Sequence, residues 1–271
     1  MIDAQSGLQS GLQSGLLSLF GLTFLLGLRH GLDPDHLAAI DNLTRYNAER
    51  APALARWCGA LFSLGHGAAV TAVAVTLSAL SASEALPSWL DNAGQSIAIV
   101  FLLAIGIVNL RASLGATPAP VGTLGWLAPR LLRRATSISH PMLILLIGMA
   151  FAVSMGTMSQ AALFSVAAQG KFAWTIAGLL GLTFTSGMLA TDTASGWWVA
   201  RMLGSGQARN MSRALTLSIA LLSLAVAAAG IARMFSQKLD HWYDAHTLEI
   251  GVATLVLLAG VYWLGARAQR A

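Results

Sequence analysis

Seven stretches of this chain are each long and apolar enough to cross a lipid bilayer. A spanning helix takes about 20 mostly apolar residues, because the hydrocarbon core is about 30 Å thick. The stretches run roughly from Gly15 to Leu43, Trp57 to Leu80, Ala93 to Leu110, Pro141 to Ala168, Phe172 to Leu203, Arg213 to Met234 and Thr247 to Ala266. Lipid offers no partner to a bare N–H or C=O, so each stretch must satisfy its own backbone as a helix. Composition agrees. Only 10% of the 271 residues are charged, against about 25% in soluble domains. The expected fold class is therefore all-α, a polytopic membrane protein with about seven transmembrane helices. The first and fifth stretches exceed a straight span, which predicts that each is tilted, broken or extended past the membrane.

The connections carry an orientation signal. Twelve arginines fall after the first, third, fifth and seventh stretches: Arg45, Arg50, Arg56, Arg111, Arg130, Arg133, Arg134, Arg201, Arg209, Arg213, Arg267 and Arg270. The opposite connections receive only Lys171, Arg233 and Lys238. Basic residues accumulate in cytoplasmic loops, so the N-terminus is expected outside and the C-terminus inside. The longest connection, about 112–140, holds Pro118, Pro120 and Pro129 and is expected to be a cytoplasmic loop between two halves. Residues 1–14 contain a fourfold-spaced Gln-Ser-Gly-Leu repeat and are expected to be a mobile lead-in to a single membrane domain over 15–271. No Lys or Arg precedes Arg29, so no cleavable signal peptide is expected. The net charge of +5 is not gathered into a run, which argues against nucleic acid as a partner. The lone Cys58 excludes an intrachain disulfide and a CxxC metal site.

One segment breaks the apolar pattern. His30-Gly31-Leu32-Asp33-Pro34-Asp35-His36 places two imidazoles and two carboxylates at the end of the apolar run Leu16 to Leu28. Ionisable groups at membrane depth are costly and mark sites or pathways. His30 and Asp33 are three residues apart, as are Asp33 and His36, a spacing that makes neighbours on a helix. Pro34 removes a backbone donor, so the helix is expected to kink there and turn these side chains towards one point. Two later stretches add His66, between Gly65 and Gly67, and Asp192. The candidate metal ligands are thus His30, Asp33, Asp35, His36, His66 and Asp192. Imidazole with carboxylate suits nickel, zinc, copper or iron better than calcium or magnesium. His140 reads as interfacial, and His241 and His246 as residues of an exposed loop.

These residues also carry a family resemblance. Arg29-His30-x4-Asp35-His36, followed by Leu37-Ala38-Ala39-Ile40-Asp41-Asn42, resembles the signature of the nickel/cobalt transporter (NiCoT) family, with Gly31 and Pro34 where that family has alanines. Phe62-Ser63-Leu64-Gly65-His66 resembles a second family motif, and Gly187-Met188 through Asp192-Thr193 to Ser195-Gly196 a third. The resemblance implies a shortened member that lacks the usual first helix. Gly156, Gln160 and Ser195 stand where the family has acids, which implies weaker attraction for a divalent ion or altered selectivity. The function implied is secondary transport of a divalent transition-metal ion, Ni(II) and/or Co(II), into the cell across the inner membrane of a prokaryote. Export of the same ions, or a metal-sensing or accessory subunit, are the alternatives. The partners expected are the ion, as substrate, and the bilayer. No enzyme motif and no Walker motif is present, so neither catalysis nor a cofactor is expected.

Overall fold

The computed structural model describes residues 2–80, 88–114, 140–153, 155–168, 173–204 and 213–268. Among them every regular element is helical: α1 (Ile2–His30), α2 (Pro34–Arg50), α3 (Pro52–Ala55), α4 (Cys58–Ala79), α5 (Ser88–Leu114), α6 (Pro141–Phe151), α7 (Met155–Ala167), α8 (Ala173–Gly204), α9 (Arg213–Phe235), α10 (Gln237–Ala245) and α11 (Thr247–Ala268). Among the described residues five helices are long and apolar enough to span a membrane, and a bent pair, Gly15–His30 with Pro34–Ala48, makes a sixth, one fewer than the seven expected because the fourth stretch is divided. The protein is a multi-pass membrane protein. The loop expected over about 112–140 lies almost wholly outside the described residues.

Two expected spans are interrupted. The first divides into α1 and α2 with a bend of 59°. Pro34 is the cause. It forbids the helical conformation to the residue before it, and Asp33 accordingly sits extended at φ −60°, ψ 138°. Proline then fits the first turn of α2, where its missing N–H has no bond to lose. The fourth span divides into α6, too short to cross alone, and α7. The fifth, by contrast, is the single 32-residue helix α8. The connection after α9, expected as an exposed loop, is instead the helix α10. Ser236 starts it by accepting the Leu239 N–H at 3.3 Å. His241 in α10 is exposed, whereas His246 is half-buried and stacks on Trp242. His140 is exposed and caps α6, accepting the Met142 N–H at 3.2 Å.

Small residues let the central helices touch through their backbones. A Cβ on Gly27 of α1 would strike the Phe184 carbonyl of α8, and one on Gly187 of α8 would strike the Phe24 carbonyl of α1. Gly65 of α4 and Gly148 of α6 stand in the same reciprocal relation to the carbonyls of Leu145 and Phe62. Apolar side chains fill the space around these crossings. Val70, Ala74, Phe164, Leu180, Phe184 and Met188 form one buried cluster, and Ile40, Leu43, Phe62, Ile144 and Phe151 another. Leu17, Leu25, Val100, Val256 and Leu264 point outward, as lipid-facing residues do.

Candidate metal site

The break after α1 brings the two ends of the bent span together with α4. His30 closes α1, His36 lies in the first turn of α2, and His66 sits in the middle of α4. One nitrogen of each imidazole lies within 4.8 Å of one from each of the others. All three histidines are buried. The ring centroids are 4.6 Å apart for His30 and His36, 4.8 Å for His36 and His66, and 5.1 Å for His30 and His66. The Nε2 atoms of His30 and His66 face each other at 3.3 Å.

The carboxylates stand behind this cluster. Asp33 Oδ2 is 2.7 Å from His30 Nδ1. Asp192 Oδ2 is 3.4 Å from His36 Nδ1 and accepts the Ser63 hydroxyl at 2.6 Å. An ionised carboxylate only accepts, so in a neutral imidazole this placement favours the Nδ1–H tautomer and leaves Nε2 available to a metal ion. This is the arrangement by which carboxylates fix the tautomer and direction of metal-binding histidines. Asp35 is placed differently. Its Oδ1 accepts the His36 backbone N–H at 3.0 Å, and its side chain lines a cavity. The structure thus gathers the three imidazoles, with Asp33 beside His30 and Asp192 beside His36, while Asp35 lines the adjoining cavity.

That cavity has a volume of about 110 Å³. It reaches from His30, Asp33 and Asp35 past Gln95 and Ala98 of α5 to Arg233, Tyr243 and Asp244 beneath α10. Burial, with Asp35 nearby, raises the Tyr243 phenol above its ordinary value, so it remains a hydrogen-bond donor. Burial likewise raises the Asp244 carboxyl, against the pull of Arg233. None of Gln95, Arg233, Tyr243 and Asp244 carried a signal in the sequence, because each lies in a different stretch from the histidine motif.

Further along α2 the core is closed. Arg45 Nε donates to Asp41 Oδ2 at 2.7 Å, and the Tyr262 hydroxyl of α11 donates to Asp41 Oδ1 at 2.7 Å. Asn42 donates to Ser223 of α9 at 3.1 Å and accepts from Asn109 of α5 at 2.9 Å. All are buried. Ser195, where the resembled family has an acid, turns its hydroxyl back to the Asp192 carbonyl at 3.0 Å. Gly156 and Gln160 lie in α7.

Comparison with known proteins agrees with the motif. Residues 16–116 match the family described as NicO, high-affinity nickel-transport protein. A high-affinity nickel transport protein of Cupriavidus necator is 31% identical over 200 residues, covering 64% of this chain and 56% of its own length. The nickel transporter NicT of Mycobacterium tuberculosis is 41% identical over 108 residues, covering 35% of this chain and 28% of its own. A high-affinity nickel transport protein of Cryptococcus neoformans is 36% identical over 104 residues, covering 37% of this chain and 21% of its own. The chain therefore spans between about a fifth and just over half of the length of these relatives. No solved structure matches. The histidine–aspartate signature between α1 and α2 lies within the matched stretch, so over that part the chain is similar to nickel-transport proteins of the NicO family.

Proposed function

We propose that this protein is a secondary transporter that carries a divalent transition-metal ion, Ni(II) first and Co(II) with it, into the cell across the cytoplasmic membrane of a prokaryote. One observation carries the reading: three buried imidazoles from α1, α2 and α4 converge within 4.8 Å, two of them backed by carboxylates. In this reading His30, His36 and His66 offer Nε2 to the ion. Asp33 and Asp192 hold two of the rings and supply the negative charge that a divalent ion needs in a medium of low dielectric. Asp35 faces the cavity and meets the ion first. The names of the relatives favour nickel, and imidazole ligation without thiolate suits it.

The arginine distribution supports an orientation with the N-terminus outside, which puts α10 and the cavity on the outer side. The membrane potential then drives the ion inward, contributing roughly 2.3 kcal/mol per charge per 100 mV and twice that for two charges. The test is nickel accumulation by the purified chain in proteoliposomes at an imposed potential, negative inside, challenged in turn with cobalt, zinc, iron, manganese and copper. Uptake that responds to the potential and is blocked best by unlabelled nickel or cobalt is expected. No accumulation under either sign of the potential would overturn the reading.

A further inference from the structure

The helix α10 is held to its neighbours by charged groups. No residue of Gln237–Ala245 is buried. Non-helical residues bound it at both ends, Ser236 at φ −142° and His246 at φ −112°. Its attachments are polar. Arg233, near the end of α9, donates from Nε to Asp240 at 2.7 Å and from its terminal nitrogen to Asp244 at 2.7 Å. The same guanidinium lies 4.3 Å from the centre of the Tyr243 ring. From the other side, Arg29 donates to the Asp244 carbonyl at 2.6 Å. Beneath this helix, and lined by its Tyr243 and Asp244, lies the cavity that ends at His30. Arg233 itself lines that cavity, so the one guanidinium touches both the cover and the space it covers.

We propose that α10 is a lid over the approach to the histidine cluster and that Arg233 is the positioning residue that latches it shut. The physical basis is the contrast in what must be broken. Lifting α10 exposes little apolar surface, so the hydrophobic effect resists it weakly. The resistance comes from ion pairs of partly exposed groups, with Arg233 19%, Asp240 21% and Asp244 61% exposed, and such pairs are weaker than buried ones and screened by salt. Segments that open locally are drawn from regions with few buried contacts. While shut, the latch pairs the guanidinium that lines the cavity with two carboxylates. The approach to the cluster as an ion path rests on the transport reading above; the opening of α10 does not.

The test is therefore made without transport. Ala98 lines the cavity and is buried. A full-length Cys58→Ala, Ala98→Cys protein in nanodiscs is labelled with a water-soluble maleimide, and the rate is compared with and without Arg233→Gln. About fivefold faster labelling is expected when the two screened ion pairs are lost. Arg233→Lys should fall near the parent rate, and higher salt should speed the parent but not Arg233→Gln. Should Arg233→Gln fail to fold, the double variant Asp240→Asn, Asp244→Asn removes the other half of the latch and is expected to give the same acceleration. An unchanged rate in a folded latch variant would overturn the lid. Faster labelling in a protein that moves no metal would keep the lid and remove the transport reading.

Discussion

The two sides of the histidine cluster are built from the same kinds of group and held in opposite ways. On the α10 side, Arg233, Asp240 and Asp244 pair at the protein surface above a cavity. On the other side, about one and a half to two and a half turns further along α2, Asp41 and Arg45 pair in the buried core and Tyr262 holds Asp41. The aspartate–arginine separation is 2.7 Å in both places. What differs is the solvent each group would return to. A partly exposed pair exchanges its partner for water at less cost. A buried pair, once broken, leaves an uncompensated charge in an apolar core. The same chemistry therefore makes a weaker tie on one side and a stronger one on the other.

The largest effect is expected at the cluster that both sides share. His36→Ala and His66→Ala should reduce nickel uptake to background at equal protein level, read in cells with radioactive nickel. Uptake at the parent rate in His36→Ala would remove the cluster from transport. Asp192→Asn keeps the shape but loses the acceptor for His36, and an apparent affinity weaker by about 10- to 100-fold is expected.

The difference between the stronger tie and the weaker one is read in stability. Arg45→Met should destabilise the protein by about 3–5 kcal/mol, since Asp41 stays buried without its partner. Arg233→Gln should cost about 1 kcal/mol or less. Denaturant unfolding in micelles measures both, and equal losses would erase the distinction. Helix contacts give a smaller pair. Gly65→Ala drives a methyl into the Leu145 backbone and should cost about 1–3 kcal/mol. Gly31→Ala meets the Thr191 hydroxyl, which can rotate only by giving up its bond to the Met188 carbonyl, with Asp192 Oδ1 at 3.0 Å beside it, and should cost about 1–2 kcal/mol. Last, protons compete with the ion for imidazole nitrogen. Uptake at fixed potential should fall as the outside is acidified and recover on return to neutral pH.

Much of the scaffold was legible before folding. Apolar length gave α4, α5, α8, α9 and α11 to within a few residues, because a membrane span needs an uninterrupted run that few other structures require. Pro34 announced the break between α1 and α2, since its ring acts on the residue next to it. Other features had no such mark. The division of the fourth span into α6 and α7 occurs in an apolar run that reads as continuous. The helix α10 was hidden because its length and polarity suit a loop equally well. The roles of Asp33 and Asp192 behind the imidazoles, rather than beside them, depend on angles that spacing along the chain does not encode.

Residue order alone determined that the chain crosses a membrane repeatedly and that nitrogen and oxygen donors gather at one bend in its first span. Those features are local, set by hydropathy and by the geometry of proline. Tertiary structure alone decided that His66, thirty residues beyond His36, meets the first two imidazoles, that Asp192 aligns one of them, and that Arg233 and Arg45, both arginines paired with aspartates, have different freedom to move. Those outcomes depend on which helices lie side by side and on how much water reaches each charge.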